Sequence, residues 1–203
     1  FFVRRARQWF WRGDFDGGAA DLGFRELYVR WLWYSVFLPM MRSHGDDTPR
    51  EIWNFGNPGE PFFEAIRSAI QMRYALVPYL YSLCARVNQT GAAMLKAPAL
   101  AFANDETLRG PVGETAMLTG DFLYVRPVTE PMDYGPESAP VLGHDHHVDV
   151  YLPKGALWYD FYTNERFEGG QTVHTAAPLS RIPVYVRAGA ILPTARPAQS
   201  TAA

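Results

Sequence analysis

The chain has 203 residues, enough for one large domain or two small ones with a buried core. Apolar residues make up 48% of it and aromatic residues 15%, which excludes a disordered chain. The 19 basic and 21 acidic residues nearly balance, so nothing in the charge points to nucleic acid or to an anionic membrane as a partner.

The opening segment, FFVRRARQWFWRGDFDGG, has neither the period of a helix nor the alternation of a strand. It places Asp14 and Asp16 beside aromatic residues, and paired carboxylates of this kind cleave glycosidic bonds. Residues two positions apart in an extended loop point to opposite sides, however, so this pair would not flank one bond. We therefore favour the alternative, a polar turn with ordinary surface aspartates.

The rest of the first hundred residues predicts helices joined by loops. An apolar stripe of helical spacing runs through residues 24–41 and ends near Pro39. A second helical pattern covers residues 61–87, and Pro78 should kink it or divide it in two. Residues 91–102, GAAMLKAPALAF, then predict a short buried strand and its exit. The only cysteine in the chain lies within the second pattern, which excludes an internal disulfide.

Between the two helical patterns, Arg42 and His44 begin a loop that is dense in polar groups, RSHGDDTPREIWNFG. An arginine and a histidine at the end of one element can hold hydroxyls or a carboxylate through charge-assisted hydrogen bonds. Basic residues at a helix C-terminus also offset the helix dipole without any ligand. The residues by themselves leave both interpretations open.

The hydrophobic pattern becomes alternating after about residue 112. FLYVRPV and HHVDVYLP each predict a strand, LWYDFYTNERFEGGQTVHT predicts two strands around a turn, and IPVYVRAGAILP predicts two more around residues 188–189. Short strands separated by proline and glycine are typical of an antiparallel sandwich. Residues 196–203 are small and polar, and they predict a linker or a frayed tail.

The HDHH motif at residues 144–147 contains residue types that bind metals. No cysteine is near it and Gly143 precedes it, so we interpret it as a solvated loop and predict no metal site. The Walker, HExxH, GxSxG and dinucleotide-binding motifs are all absent from the sequence, which therefore predicts no cofactor.

Five segments in a fixed order resemble glycoside hydrolase family 31, the family of α-glucosidases and α-xylosidases. They are FRELYVRWLWYSVFLPMMRSHGDDTPREIWNFG, IQMRYALVPYLYSL, TGDFLYVRPVTEP, VDVYLPKGALWYDFYTNERFEGG and IPVYVRAGAILP. The resemblance implies an α/β plus all-β fold. Residues 1–110 would form the C-terminal part of a (β/α)₈ catalytic barrel, and residues 111–195 a proximal antiparallel β-sandwich domain.

The resemblance also implies a retaining, exo-acting α-glycosidase that acts on oligosaccharides or α-glycosides with two aspartates. The nucleophile belongs to a Trp-x-Asp-x-Asn-Glu-Pro box, which the chain lacks. The acid/base belongs to a Trp-x-Gly-Asp box, and WRGD, ending at Asp14, matches it only superficially because ELYVRW follows too soon. We therefore expect the chain to be a C-terminal part of such an enzyme, with both catalytic aspartates upstream and no catalytic residue of its own.

Within the family pattern, His44 resembles the histidine of an Arg-x-His segment that hydrogen-bonds sugar hydroxyls in the −1 subsite. Arg42 resembles its supporting neighbour. The opening Phe1 resembles the end of an Asp-Ile-Gly-Gly-Phe box, in which the phenylalanine packs near the sugar ring.

Trp9 and Trp11 match an aromatic insertion of the WFWxGDY type that follows the Asp-Ile-Gly-Gly-Phe box in one branch of the family, which makes them candidates to wall the substrate pocket. In that alignment the sugar-binding aspartate of the box lies just before residue 1, and we favour it. In the alternative alignment, Asp14 is that aspartate.

A different class of function is also open. A non-catalytic carbohydrate-binding or structural β-sandwich module would account for the aromatic β-half and for the missing catalytic box. The helical first hundred residues disfavour this alternative, because such a module has no use for them.

Overall fold

The computed structural model describes residues 18–43 and 48–198. Its first part is helical. Asp21 caps the first helix, because its carboxylate accepts hydrogen bonds from the backbone N–H groups of Gly23 and Phe24. No helix in the described ranges is both long and apolar enough to cross a membrane. The helices are α1 (Leu22–Ser35), α2 (Pro61–Ala75), α3 (Val77–Thr90) and the short α4 (Pro98–Ala101).

The two predicted helices differ from the observed ones at specific residues. The pattern over 61–87 is divided between α2 and α3. Pro78 lies in the first turn of α3, where the backbone N–H groups have no partner within the helix, so the N–H that proline lacks is not needed there. The stripe over 24–41 ends as a helix at Ser35. Beyond that point the guanidinium of Arg73 donates to the carbonyl oxygens of Val36, Leu38 and Pro39, which a continued helix would have needed for itself.

The second part of the chain consists of two antiparallel sheets, as the alternating pattern predicted. The strands are β1 (Leu95–Lys96), β2 (Met117–Thr119), β3 (Leu123–Val125), β4 (His147–Leu152), β5 (Leu157–Asp160), β6 (Arg166–Glu168), β7 (Gln171–Ala176) and β8 (Val184–Arg187). One sheet has six strands in the order β1-β2-β3-β8-β5-β6, and the other pairs β4 with β7.

Two strand predictions were incomplete. The segment LWYDFYTNERFEGGQTVHT forms three strands rather than two, and its third strand, β7, leaves the first sheet to pair with β4. IPVYVRAGAILP forms only β8, and residues 190–198 have no regular structure. Because β8 already pairs with β3 on one side and β5 on the other, no edge beside it is free for a returning strand.

The helical and β-parts share one hydrophobic core. Trp33 and Phe37 from the α1 region pack in the same cluster as Val125 and Val184 from the six-stranded sheet. Trp158 is fully buried in a second cluster, which includes residues of β3, β4 and β8. The strand β1 belongs to the six-stranded sheet although it precedes residue 110, and the domain boundary at residues 110 and 111 stays a prediction.

Buried charges on α1 add a polar connection between the two parts. The Glu26 carboxylate accepts hydrogen bonds from three backbone N–H groups, those of residues 132–134. Arg30, one turn further along, pairs with Glu26 at 3.3 Å and donates to the carbonyl oxygens of Ala177 and Pro178. The side chains of both residues are almost completely buried, so the position of α1 depends on this network.

Candidate functional site

The structure describes one of the six site residues predicted from the sequence. Arg42 lies in the irregular segment that follows α1, and its side chain is exposed. Phe1, Trp9, Trp11, Asp14 and His44 lie outside the described residues, so their roles stay predictions. What the structure does describe is how the chain on either side of residues 44–47 is held.

Tyr28, on α1, contacts both ends of the segment that contains His44. Its hydroxyl lies 2.9 Å from Oγ of Ser43 and 3.2 Å from the carbonyl oxygen of Arg50. A phenol can donate to the carbonyl while it accepts from the serine hydroxyl, so both contacts can be made at once. Burial raises the pKa of Tyr28, against a smaller opposite effect of Ser43, and the phenol therefore keeps its proton at neutral pH.

The ring of Tyr28 is fixed by aromatic packing beneath the loop. It stacks on Phe55, with ring centroids 4.4 Å apart and planes inclined by 22°, and Phe55 is fully buried. Arg25 donates to the carbonyl oxygens of Ala19 and Phe55, which holds the chain on both sides of this stack. The anchor of the loop is therefore built on a rigid helix, an arrangement that suits a site whose geometry must be kept.

The chain that leaves α1 toward Arg42 is fixed from the other side by α2. Arg73 donates to the carbonyl oxygens of Val36 and Pro39 at 2.9 Å each, and also to that of Leu38. A planar guanidinium that binds three carbonyl groups sets the direction in which this segment leaves the helix. Arg73 and Tyr28 together define where the polar loop begins.

The opening segment and the polar loop meet at their described ends. Gly18 has a φ of 51°, and a Cβ at this position would lie 2.9 Å from Cγ2 of Thr48. Thr48 follows the undescribed residues 44–47 directly, and Gly18 follows the undescribed opening segment. The two segments to which the sequence assigns sugar contacts therefore join the described structure next to each other.

A second polar group of side chains lies on the β4–β7 sheet. Asp145 and His147 of the HDHH motif lie beside His174, and one ligand atom from each is within 4.8 Å of the other two. His174 is the partner of Asp149 in the β4–β7 register, and the two imidazole nitrogens lie 2.9 Å from the carboxylates of Asp149 and Asp145. His174 could not be assigned to this group from the local sequence, since only the strand pairing brings it to the motif.

Comparisons with known proteins bear on both parts of the chain. A model described as "Glycosyl hydrolase family 31 C-terminal domain" matches residues 91–192, and one described as "Glycosyl hydrolases family 31 TIM-barrel domain" matches residues 10–83. The chain belongs to glycosyl hydrolase family 31. The family resemblance and the predicted fold class, part of a barrel followed by an antiparallel β-domain, are thereby confirmed.

Relatives with assigned activities include α-glycosidases. An α-xylosidase of Saccharolobus solfataricus is 34% identical over 181 residues, which are 89% of this chain and 22% of that enzyme. An α-glucosidase of Aspergillus niger is 36% identical over 194 residues, covering 91% of this chain and 18% of the relative. The chain thus spans about a fifth of the length of these curated relatives.

Solved structures of the family resemble the fold described above. A family 31 α-xylosidase from Xanthomonas citri superimposes with a TM-score of 0.73 at 38% identity, over 84% of this chain and 17% of that one. A family 31 dextranase of Flavobacterium johnsoniae, complexed with isomaltotriose, gives 0.69 at 33% identity over 89% of this chain and 20% of that one. The barrel match over residues 10–83 includes Trp11, Asp14, Arg42 and His44, and it leaves out Phe1 and Trp9.

Proposed function

We propose that this chain is a C-terminal part of a retaining, exo-acting α-glycosidase of the α-glucosidase or α-xylosidase type. The observation that carries the proposal is the anchoring of the RSHG loop by Tyr28 within a chain of family 31. The nucleophile and the acid/base would come from the preceding part of the protein, because the chain contains no Trp-x-Asp-x-Asn-Glu-Pro box. Relatives complexed with isomaltotriose and with a pentasaccharide substrate support an oligosaccharide as substrate.

In this proposal the chain supplies part of the substrate pocket. His44 donates hydrogen bonds to sugar hydroxyls, and Arg42 supports it. Phe1, Trp9 and Trp11 offer flat surfaces to the apolar face of the sugar ring, and Asp14 is the alternative to an upstream aspartate as a hydroxyl ligand. Hydroxyl contacts that strengthen as the ring approaches an oxocarbenium-like transition state raise the rate of the chemical step.

The loop anchor matters for this chemistry because a hydrogen bond to a hydroxyl depends on its length and angle. A histidine on a loop held at only one end would sample many positions, and each misplacement would weaken transition-state binding. Tyr28 contacts the residue before His44 and a residue six positions after it, so both ends of a short span are held by one helix. This arrangement favours a role for His44 in binding the sugar over the alternative, in which the basic residues after α1 only offset the helix dipole.

The proposal is tested by replacing His44 with alanine in the intact enzyme. Loss of a hydrogen bond that strengthens in the transition state should lower kcat/KM for an aryl α-glycoside by about 10-fold or more. His144→Ala, which removes a histidine of the HDHH motif that this proposal does not use, serves as the matched control and should leave the kinetics unchanged. Unaltered kinetics in His44→Ala would contradict the assigned role.

The location of the catalytic carboxylates has its own test. The 203-residue chain purified alone should release no p-nitrophenol from p-nitrophenyl α-glucoside or α-xyloside, while the intact enzyme should hydrolyse at least one of them. Turnover by the isolated chain would place a catalytic dyad within it and overturn this part of the proposal. The alternative of a non-catalytic carbohydrate-binding module is disfavoured by the barrel-domain match over residues 10–83.

A further inference from the structure

The β4–β7 sheet carries a cluster of side chains that the proposed glycosidase activity does not use. We propose that Asp145, His147 and His174 form a binding site for a divalent transition-metal ion, Zn²⁺ foremost. The three residues are the group in the described ranges whose ligand atoms, one from each, lie within 4.8 Å of one another. The proposal uses none of the residues assigned to the sugar pocket, so the two proposals are tested separately.

Strand pairing and a turn assemble the cluster from two distant stretches of sequence. In the β4–β7 register Asp149 is opposite His174, at the end of the sheet where β4 begins. Asp145 lies in the loop just before β4, and its carboxylate accepts a hydrogen bond from the backbone N–H of His147. Between them His146 has a φ of 56°, a left-handed turn that allows residues on both sides of it to approach β7.

His174 lies between two carboxylates, an arrangement that favours positive charge at this position. Its Nδ1 is 2.9 Å from an oxygen of Asp149, and its Nε2 is 2.9 Å from an oxygen of Asp145. A neutral imidazole carries only one N–H and can donate to only one of the two carboxylates, so the second contact needs a positive charge, either a second proton on the ring or a metal ion. A metal ion shared by Nε2 and Asp145 supplies that charge, while Nδ1–H donates to Asp149.

The distances in the cluster suit ligands of one small ion. Zinc binds imidazole nitrogen and carboxylate oxygen at about 2.0–2.2 Å, which sets neighbouring ligand atoms of a tetrahedral site about 3.4 Å apart. The 2.9 Å contact between His174 and Asp145 is a direct hydrogen-bond distance, and the two side chains would move apart by about 0.5 Å to hold an ion between them. Asp149 then acts as the outer carboxylate that fixes the tautomer and orientation of a metal-bound histidine.

His147 provides the third ligand. Its ring stacks on that of His174, with centroids 4.8 Å apart and planes inclined by only 8°. Its Nδ1 lies 2.7 Å from the carbonyl oxygen of Asp145, a contact that holds the proton on Nδ1 and leaves Nε2 with its lone pair. One ligand atom of His147 already lies within 4.8 Å of those of Asp145 and His174, and water would complete the coordination.

The donor set selects the class of ion. Two imidazoles and one carboxylate suit Zn²⁺, Cu²⁺ or Ni²⁺, whereas Ca²⁺ and Mg²⁺ prefer sets made of oxygen ligands. An ion bound here would connect the loop before β4 to the strand β7. The binding would therefore be structural, since it adds a cross-link at one end of a sheet that has only two strands.

The experiment uses the intact protein, stripped with EDTA and dialysed, and titrates it with ZnCl₂ and with CaCl₂ in a calorimeter. We expect one saturable Zn²⁺ site per chain that His174→Ala and Asp145→Asn each abolish, and no such site for Ca²⁺. Asp149→Asn, which removes only the outer carboxylate, should weaken binding by about 10- to 100-fold. His146→Asn is the matched control: it removes an imidazole from the same motif, tolerates the left-handed turn and should leave the affinity unchanged.

Several results would overturn the site. These are the absence of saturable Zn²⁺ binding, binding that both His174→Ala and Asp145→Asn retain, and an equal loss of affinity in His146→Asn. Because Asp145, Asp149 and His174 are exposed, their three variants should melt close to the wild-type temperature in EDTA, so that a change in affinity reports ligand loss. Two independent ligand substitutions keep the test decisive if one variant folds poorly.

Discussion

The hydroxyl of Tyr28 lies 2.9 Å from Oγ of Ser43, so a residue in the middle of α1 contacts the residue immediately before His44. The same hydroxyl reaches the carbonyl oxygen of Arg50 beyond the undescribed residues 44–47. Helix α1 also carries Glu26 and Arg30, whose buried network extends into the β-part of the chain. One helix thus supports the proposed sugar-binding loop and joins it to the C-terminal domain.

Tyr28→Phe removes the hydroxyl and keeps the ring that stacks on Phe55. In the intact enzyme we expect kcat/KM for an aryl α-glycoside to fall by about 5- to 10-fold, as the loss of a net hydrogen bond of ~1 kcal/mol implies. Tyr28 does not touch the sugar in this proposal, so the loss should come from a looser His44. A Tyr28→Phe/His44→Ala double variant should therefore lose less than the product of the two single effects.

Tyr81→Phe is the matched control, since Tyr81 is 76% exposed on α3 and should tolerate the loss of its hydroxyl without kinetic change. Equal effects of Tyr28→Phe and Tyr81→Phe on kcat/KM would contradict the positioning role. So would a double variant whose two losses multiply in full.

Glu26→Gln should destabilise the protein strongly. The carboxylate accepts from three backbone N–H groups and pairs with Arg30, whereas an amide has one acceptor oxygen and would leave the buried Arg30 charge with only the more distant carboxylate of Asp133, at 3.8 Å. Removal of one partner of a buried ion pair costs about 3–5 kcal/mol of unfolding free energy. Urea denaturation of the intact protein measures the change in unfolding free energy, provided that the unfolding transition observed is one in which this domain unfolds.

The control for Glu26→Gln is Glu106→Gln. Glu106 forms an ion pair with Arg109 at 3.2 Å, but both side chains are mostly exposed, and such surface pairs contribute about 1 kcal/mol or less. If the two substitutions lowered the unfolding free energy by similar amounts, the buried network would not hold α1 in place.

Gly23→Ala tests how closely α1 approaches the β-part. Alanine normally stabilises a helical position by about 0.5–1 kcal/mol relative to glycine. At Gly23, however, a Cβ would lie 2.1 Å from the carbonyl oxygen of Gly135, which is backbone and cannot rotate away. We therefore expect a loss of about 1–3 kcal/mol of unfolding free energy in denaturant titrations.

Gly110→Ala provides the comparison for Gly23→Ala. The nearest atom to a Cβ at Gly110 is 3.7 Å away, an ordinary van der Waals contact, and its backbone is extended. This variant should unfold within about 0.5 kcal/mol of the wild type. A neutral or stabilising Gly23→Ala would mean that α1 lies further from residue 135 than the structure places it.

Local pattern predicted much of the fold. The apolar stripe predicted α1. Pro78 predicted the division between α2 and α3, because a proline lacks the backbone N–H that a helix interior needs and so interrupts a helix locally. Alternation predicted β4, in which Val150 and Leu152 are buried. The family motifs pointed to a barrel part followed by an antiparallel domain, which the family matches confirm.

What the sequence did not predict depends on partners far along the chain. Glu26 and Arg30 have the appearance of an ordinary exposed ion pair on a helix, yet their partners lie more than a hundred positions away. Tyr28 belongs to an aromatic-rich helix, and nothing in the local sequence indicates that its hydroxyl contacts Ser43 and Arg50. His174 follows the HDHH motif by about thirty residues, and only the β4–β7 register places it there. Contacts between residues far apart in the sequence produce no periodic hydrophobic pattern in the local sequence, so they cannot be predicted from it.

The ion pairs of Asp121 should make the stability of the protein depend on acidic pH. Asp121, in the turn between β2 and β3, forms ion pairs with Lys96 of β1 and Arg86 of α3. The hydrogen bond from Lys96 is the largest cause that lowers the pKa of Asp121, and Arg86 adds to it, although partial burial opposes both. The folded-state pKa therefore lies below the unfolded value of about 3.9. Its contribution to stability is complete above about pH 4 and is lost as the pH falls through the folded-state pKa.

Asp121→Asn should accordingly lower the unfolding free energy at about pH 6 and make a smaller difference toward about pH 2, as the wild-type carboxyl takes up its proton. Denaturant titrations of both proteins at the two pH values measure this difference. Because the group is partly exposed, about 1 M salt should shrink the difference at the higher pH. A penalty for Asp121→Asn that stayed constant from about pH 6 to about pH 2 would show that the carboxylate charge does not stabilise the connection between α3 and β1.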